Sequence, residues 1–397
     1  MWQIWHEKRG MKIGRWGLLA LAGSLLLTGC SGFWDKPVPP TPPTTKTSGA
    51  FYVLNFATSQ IAGYYVNAGV LTALPGSPYA LSSPPISIAI APNNQFLYVS
   101  TVSGIYLYTI ASNGQLTLSN NAQVISADGA ASMQVDATNS WLIEAVTGVP
   151  TAFAIHINST NGLLLSTIQQ AATLPNSTIQ QIAMSPDNTY VFIAMGAGGT
   201  ATIPFNPNNA NPLGRVSTIP VKTAGGGALS VAVDPTTATT TTPRLLYIGE
   251  TAALSGANTG GLRVFNYSGF QEISGSPFAI DGLAPVSILP FSTGEFVYVL
   301  NRQVSGSTTG IVKGFSIASV NDALTLTPLA STFSAGTLSR AIVEDNSGAF
   351  VFAVNFGGTP DLKGYTIDAT TAGALDPVIS AATGTDPVQA VSIAAVH

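Results

Sequence analysis

One five-residue motif returns seven times along the chain, and no other feature narrows the possible folds so far. The copies are FYVLN (51–55), LYVST (97–101), LIEAV (142–146), VFIAM (191–195), LYIGE (246–250), VYVLN (297–301) and VFAVN (351–355). With Tyr52, Tyr98, Ile143, Phe192, Tyr247, Tyr298 and Phe352 taken as equivalent, the steps are 46, 45, 49, 55, 51 and 54 residues. Each copy is rich in β-branched and aromatic residues and lies between turn signals such as Pro92-Asn93-Asn94 and Asn346-Ser347-Gly348, so each reads as a strand. About fifty residues per unit is enough for four short strands, which is one blade of a β-propeller.

A second strand precedes most copies, as in SIAIAP (87–92), SMQVDA (132–137) and SVAVDP (230–235). One position in it is Ser87, Ser132, Ser230 and Ser287, with Gln181 and Ala341 as exceptions. Small side chains suit the innermost strand, where blades converge on the axis. The functional alternative, a ring of nucleophilic serines, is the poorer reading because nothing in the pattern supplies a base to each. The first copy has no inner strand before it, but VSIAAVH (391–397) matches ISIAIAP (86–92). The expected fold is therefore all-β, a seven-bladed propeller over residues 51–397, closed by pairing of the C-terminal strand with the N-terminal blade. Loss of the last eight residues should then open the ring.

The Tyr-Val-x-Asn strands at Tyr52 to Asn55 and Tyr298 to Asn301, the Ser185-Pro186-Asp187-Asn188 turn, and the Gly76-Ser77-Pro78-Tyr79 and Gly275-Ser276-Pro277-Phe278 turns resemble the YVTN-type repeats of lactonase-like seven-bladed propellers. The resemblance spans 51–397 and implies that fold. It also implies relatives such as 6-phosphogluconolactonases and a muconate-lactonizing protein, which act through His, Arg and Glu near one end of the channel. The body departs from that pattern. Its two histidines are His156, in mid-strand, and His397, which aligns with Pro92 at the opposite face.

In a propeller the end of each second strand rims the channel mouth. The rim residues are Asn55, Thr101, Val146, Met195, Glu250, Asn301 and Asn355, so Glu250, Asn301, Asn355, Asn55 and Thr101 form one polar arc. The loops that follow on this arc, 251–261, 302–310 and 356–361, are long and rich in Gly, Ser and Thr. Arg302 follows Asn301, and Arg340 opens an inner strand where other copies carry Ile86, Leu229, Val286 or Val391. Glu250, Arg302 and Arg340, from three consecutive blades, are the candidate catalytic or ligand-binding cluster, with Asn55, Thr101, Asn301 and Asn355 beside them. Two guanidiniums and a carboxylate suit an anionic or sugar-like ligand. The competing reading makes the strand-end Asn a turn cap and the Arg and Glu a surface ion pair.

Only 8% of the 397 residues are charged. Residues 51–397 hold eight basic and sixteen acidic ones, which disfavours nucleic acid as a partner. One cysteine makes no internal disulfide, and neither a metal site nor a cofactor is expected. That cysteine, Cys30, ends Leu27-Thr28-Gly29-Cys30 after the basic residues Lys8, Arg9, Lys12 and Arg15 and an apolar run too short to span a bilayer. It resembles the lipobox of bacterial lipoproteins. Residues 1–29 are then a signal peptide, with Met11 an alternative start. Residues 30–50 are a lipidated Cys and a Pro/Thr-rich tether, which reaches roughly 60 Å at about 3.1 Å per residue. By the lipoprotein sorting rule, Ser31 favours the outer membrane. The expectation is a cell-envelope lipoprotein, bound to the membrane through Cys30, whose propeller takes a glycan, peptide or protein ligand at the mouth. The alternative is a lactonase-like hydrolase acting on a sugar lactone.

Overall fold

The computed structural model describes residues 49–397, except 68, 121–123, 127–128, 237–243, 267–268, 321–322, 359, 369–370 and 381–386. The signal segment, Cys30 and nearly all of the tether therefore lie outside the described residues. Among the described residues the regular elements are strands, arranged as an all-β propeller.

The ladders form six sheets rather than the seven expected. Five are single blades of four or five strands, and the sixth is one sheet of seven. The merger has a local cause. Strand Ala323–Glu344 pairs with Thr309–Val320 as far as Thr337 and, from Thr337 onward, across Leu338 (φ 54°) and a register shift between Ser339 and Ala341, with Phe350–Gly357. Two other inner strands open on proline, Pro85 and Pro285, whose missing N–H cannot extend a ladder backwards.

The first and last described strands share one sheet. Ala390–Ala395 runs antiparallel to Phe51–Asn55, pairing Phe51 with Ala395, Tyr52 with Ala394, Val53 with Ile393 and Leu54 with Ser392. The core consists of seven clusters, each uniting residues of neighbouring repeats. The cluster across these two strands packs Phe51, Val53 and Ile393 on Phe352 and Val354, with the Phe51 and Phe352 rings stacked at 4.4 Å. Each buried Phe contributes roughly 1.5–3 kcal/mol by leaving water.

Two repeated residues join adjacent blades. Tyr52, Tyr98 and Tyr298 donate their hydroxyls to the carbonyls of Gly114, Gly162 and Gly373, at 2.7, 2.8 and 3.0 Å. These acceptors are outer-hairpin glycines at positive φ. At Gly162 (φ 74°) a Cβ would also lie 2.6 Å from the Phe96 ring, so only glycine fits. The inner-strand Ser and Gln residues address another problem: each inner strand is an edge, with unpaired backbone groups facing its neighbour. Ser87 donates to Ala130 O (2.8 Å) and Ser230 to Pro285 O (2.7 Å). Ser132 accepts from Ile182 N, Gln134 from Met184 N, Gln181 from Val231 N and Ser287 from Ile342 N. Ser230→Ala should therefore leave a buried carbonyl without its donor and cost about 1–3 kcal/mol in urea unfolding. An unchanged midpoint would remove the serine from this role.

Candidate functional site: the channel mouth

Inner strands begin and second strands end on one face of the ring, so the local order of strands brings distant residues to a common mouth. The axial channel encloses about 410 Å³. Ile86, Ala131, Gln180, Val286, Arg340 and Val391 stand at equivalent positions in its lining. Arg340 is thus the one cation in a mostly apolar ring.

Arg302, at the end of the second strand of the preceding blade, is near enough to act on it electrostatically. Its backbone N–H is fixed to Ala284 O at 2.9 Å, and its charge acts on Arg340. Both side chains are half-buried. Burial pushes each guanidinium below its ordinary pKa, and the charge of Arg302 pushes Arg340 further the same way. Four other cations of the body, Lys222, Arg244, Arg263 and Lys313, pair with carboxylates. Among the described residues Arg302 and Arg340 have no acidic partner, and the Nε of each is buried without an acceptor. The Arg340 guanidinium rests 4.7 Å above the Phe356 ring, and Phe356 touches Phe56 at 5.9 Å between centroids. Two like charges held together in a partly desolvated mouth are stabilised when an anion arrives.

The rest of the expected arc is engaged elsewhere. Glu250 is 1% exposed and accepts from Arg263 Nη1 (2.9 Å) and Lys222 N (2.8 Å), so it does not converge with Arg302 and Arg340. The cause is Arg263, thirteen residues on, which draws the carboxylate toward the segment between blades. Asn301 performs a similar task, donating to Ile280 O at 3.0 Å and packing over Gly282. Asn355 donates to Ala335 O (3.2 Å) and accepts from Ser339 Oγ (2.7 Å). Thr101 closes its own turn on Gly104 O. Asn55 is buried, with an unpartnered Oδ1. These positions act mainly as clamps between the second strand and its adjoining loops. His156 packs edge-on against Trp141, and His397 exchanges hydrogen bonds with Asn94, so neither stands at the mouth.

Sequence reasoning passed over Phe56 and Phe356. A signal was present, because an Asn-Phe pair occurs at both 55–56 and 355–356. It also passed over Arg263, whose position in mid-strand carries no motif.

No family model matches the chain, and no curated protein matches it. Solved structures do. It is similar to a candidate 6-phosphogluconolactonase of Bacteroides fragilis, with TM-score 0.66 and 15% identity, covering 89% of this chain and 99% of that one. A second candidate 6-phosphogluconolactonase, from Bacteroides uniformis, gives TM-score 0.64 and 17% identity over 88% and 99% of the two chains. A periplasmic gluconolactonase of Pseudomonas aeruginosa gives TM-score 0.63 and 16% identity over 88% and 99%. At these identities the likeness is one of fold.

Proposed function

We propose that this chain is an exported lipoprotein, anchored in the outer membrane through Cys30, whose seven-bladed propeller binds a small anionic ligand at the channel mouth through Arg302 and Arg340. The seven-blade reading counts the seven-stranded sheet as two blades, and the seven core clusters support it. One observation carries the ligand reading: two half-buried guanidiniums from neighbouring blades without a carboxylate partner, in a body with twice as many acids as bases. Structural cations are normally paired on burial, whereas ligand-binding ones keep their donors open.

Hydrolysis of a lactone is the second reading, favoured by the fold likeness to a gluconolactonase. Arg302 and Arg340 would then hold the lactone carbonyl or an acid group, and a base other than Glu250 would be required.

Calorimetric titration of the full chain at low salt with gluconate, 6-phosphogluconate, hexanoate and inorganic phosphate tests the binding reading. The double change Arg302→Gln and Arg340→Gln should weaken whichever anion binds by at least about a hundredfold, since each charge-assisted contact contributes about 1.5–3 kcal/mol. Equal binding by the double variant, or no binding by the native chain, defeats the proposal. Turnover of gluconolactone that is lost in the same variant would favour the hydrolase.

A further inference from the structure

Resting on the mouth as an anion site, we infer that its ligand is a carboxylate with an apolar, sparsely hydroxylated body rather than a polyhydroxylated acid. Recognition of a polyol requires polar groups that converge on it and are not already committed. In this channel several are partly engaged. Ser87 and Ser230 donate to backbone carbonyls of the next blade, and Ser132, Gln134, Gln181 and Ser287 accept from its backbone amides. Those bonds engage one donor or acceptor of each side chain, while Ser87, Ser132, Gln134, Gln181 and Ser287 still line the channel. A ligand hydroxyl brought into the channel would give up water and compete with these bonds for its partners, at a cost in affinity.

Apolar surface, by contrast, is available beside the two arginines. Phe56 is 40% exposed and Val388 46% exposed. Phe56 N donates to the carbonyl of Gln389, the residue after Val388. Phe56 meets Phe356, which lies under Arg340. A shelf of two aromatic rings thus leads to a guanidinium. On the other side of Arg340 the channel wall presents Val286, Ile342 and Val391. The planar guanidinium pair supplies donors that match a carboxylate, and the shelf removes a hydrocarbon body from water.

The test compares hexanoate and benzoate with gluconate and inorganic phosphate by calorimetry on the full chain. Hexanoate and benzoate should bind about tenfold more tightly than gluconate, an expectation set by the apolar area that the shelf can cover. Phe56→Ser, at an exposed position, should remove most of that preference, and Phe356→Ala should do the same if it folds. Gluconate binding more tightly than hexanoate, with dependence on Arg302 and Arg340 retained, would overturn the ligand class and leave the anion site standing. Binding that ignores both arginines would overturn the site itself.

Discussion

Removal of residues 390–397 should abolish the cooperative fold. The deleted segment is the inner strand of the sheet that holds the first and last described strands, and its loss strips the ladder from Phe51–Asn55. Ala390 and Ile393 leave the cluster containing Phe51, Val53 and Phe352, so that junction loses packing as well as hydrogen bonds. Asn94 loses its two bonds to His397, which tie the C-terminus to the next blade. A ring differs from an open stack of repeats because one broken junction creates two exposed faces and an unpaired edge. Against a total stability of about 5–15 kcal/mol, the combined loss is most or all of the margin. The truncated chain should aggregate, or should be cleaved by protease at concentrations that leave the full chain intact. Ile393→Ala provides the graded version and should cost about 2–5 kcal/mol. A truncated chain that melts cooperatively within a few degrees of the full one would refute closure as a source of stability.

The repeat was legible because strand pairing and axial crowding both act on short, local patterns. Tyr52 and Ser230 recur in register since each makes a similar inter-blade bond in its own blade. The position of Arg340 was legible for the same reason: it breaks a run of aliphatic residues at a defined step of the repeat. The orientation of Glu250 was not. A side chain at a strand end can face the channel or the segment between blades, and here the choice depends on Arg263 and Lys222, which no periodicity links to it. The sheet count escaped because it turns on unbroken pairing along residues 323–344, which no motif in that stretch marks.

Arg263→Met should be the most costly single substitution among the charged residues. The Arg263 side chain is almost fully buried and makes four hydrogen bonds. Nη1 donates to Glu250 Oε1 (2.9 Å) and Pro220 O (2.7 Å), Nε to Glu272 Oε1 (3.1 Å), and Nη2 to Glu272 Oε2 (3.0 Å). It also lies 4.8 Å from the centre of the Phe265 ring. Methionine matches the stem but leaves two facing carboxylates with only Lys222 Nζ, on Glu272, to offset them. Breaking a buried pair in this way costs about 3–5 kcal/mol. The dependence on pH separates this cause from lost packing. Burial alone would raise the Glu272 carboxyl, but the bonds from Arg263, Ser276 and Lys222 hold it below the ordinary glutamate range. In the native chain Glu272 therefore contributes stability above that range and loses it as pH falls through the depressed value. In the variant the cation is gone, and carboxylates left crowded together take up a proton more readily, so acidification relieves them. The native chain should exceed the variant by the full margin at neutral pH, and the gap should narrow as urea melts are repeated toward pH 5. Adding Glu250→Gln to the variant should recover part of the loss at neutral pH. A gap that stays constant with pH would assign the effect to packing of the arginine stem instead.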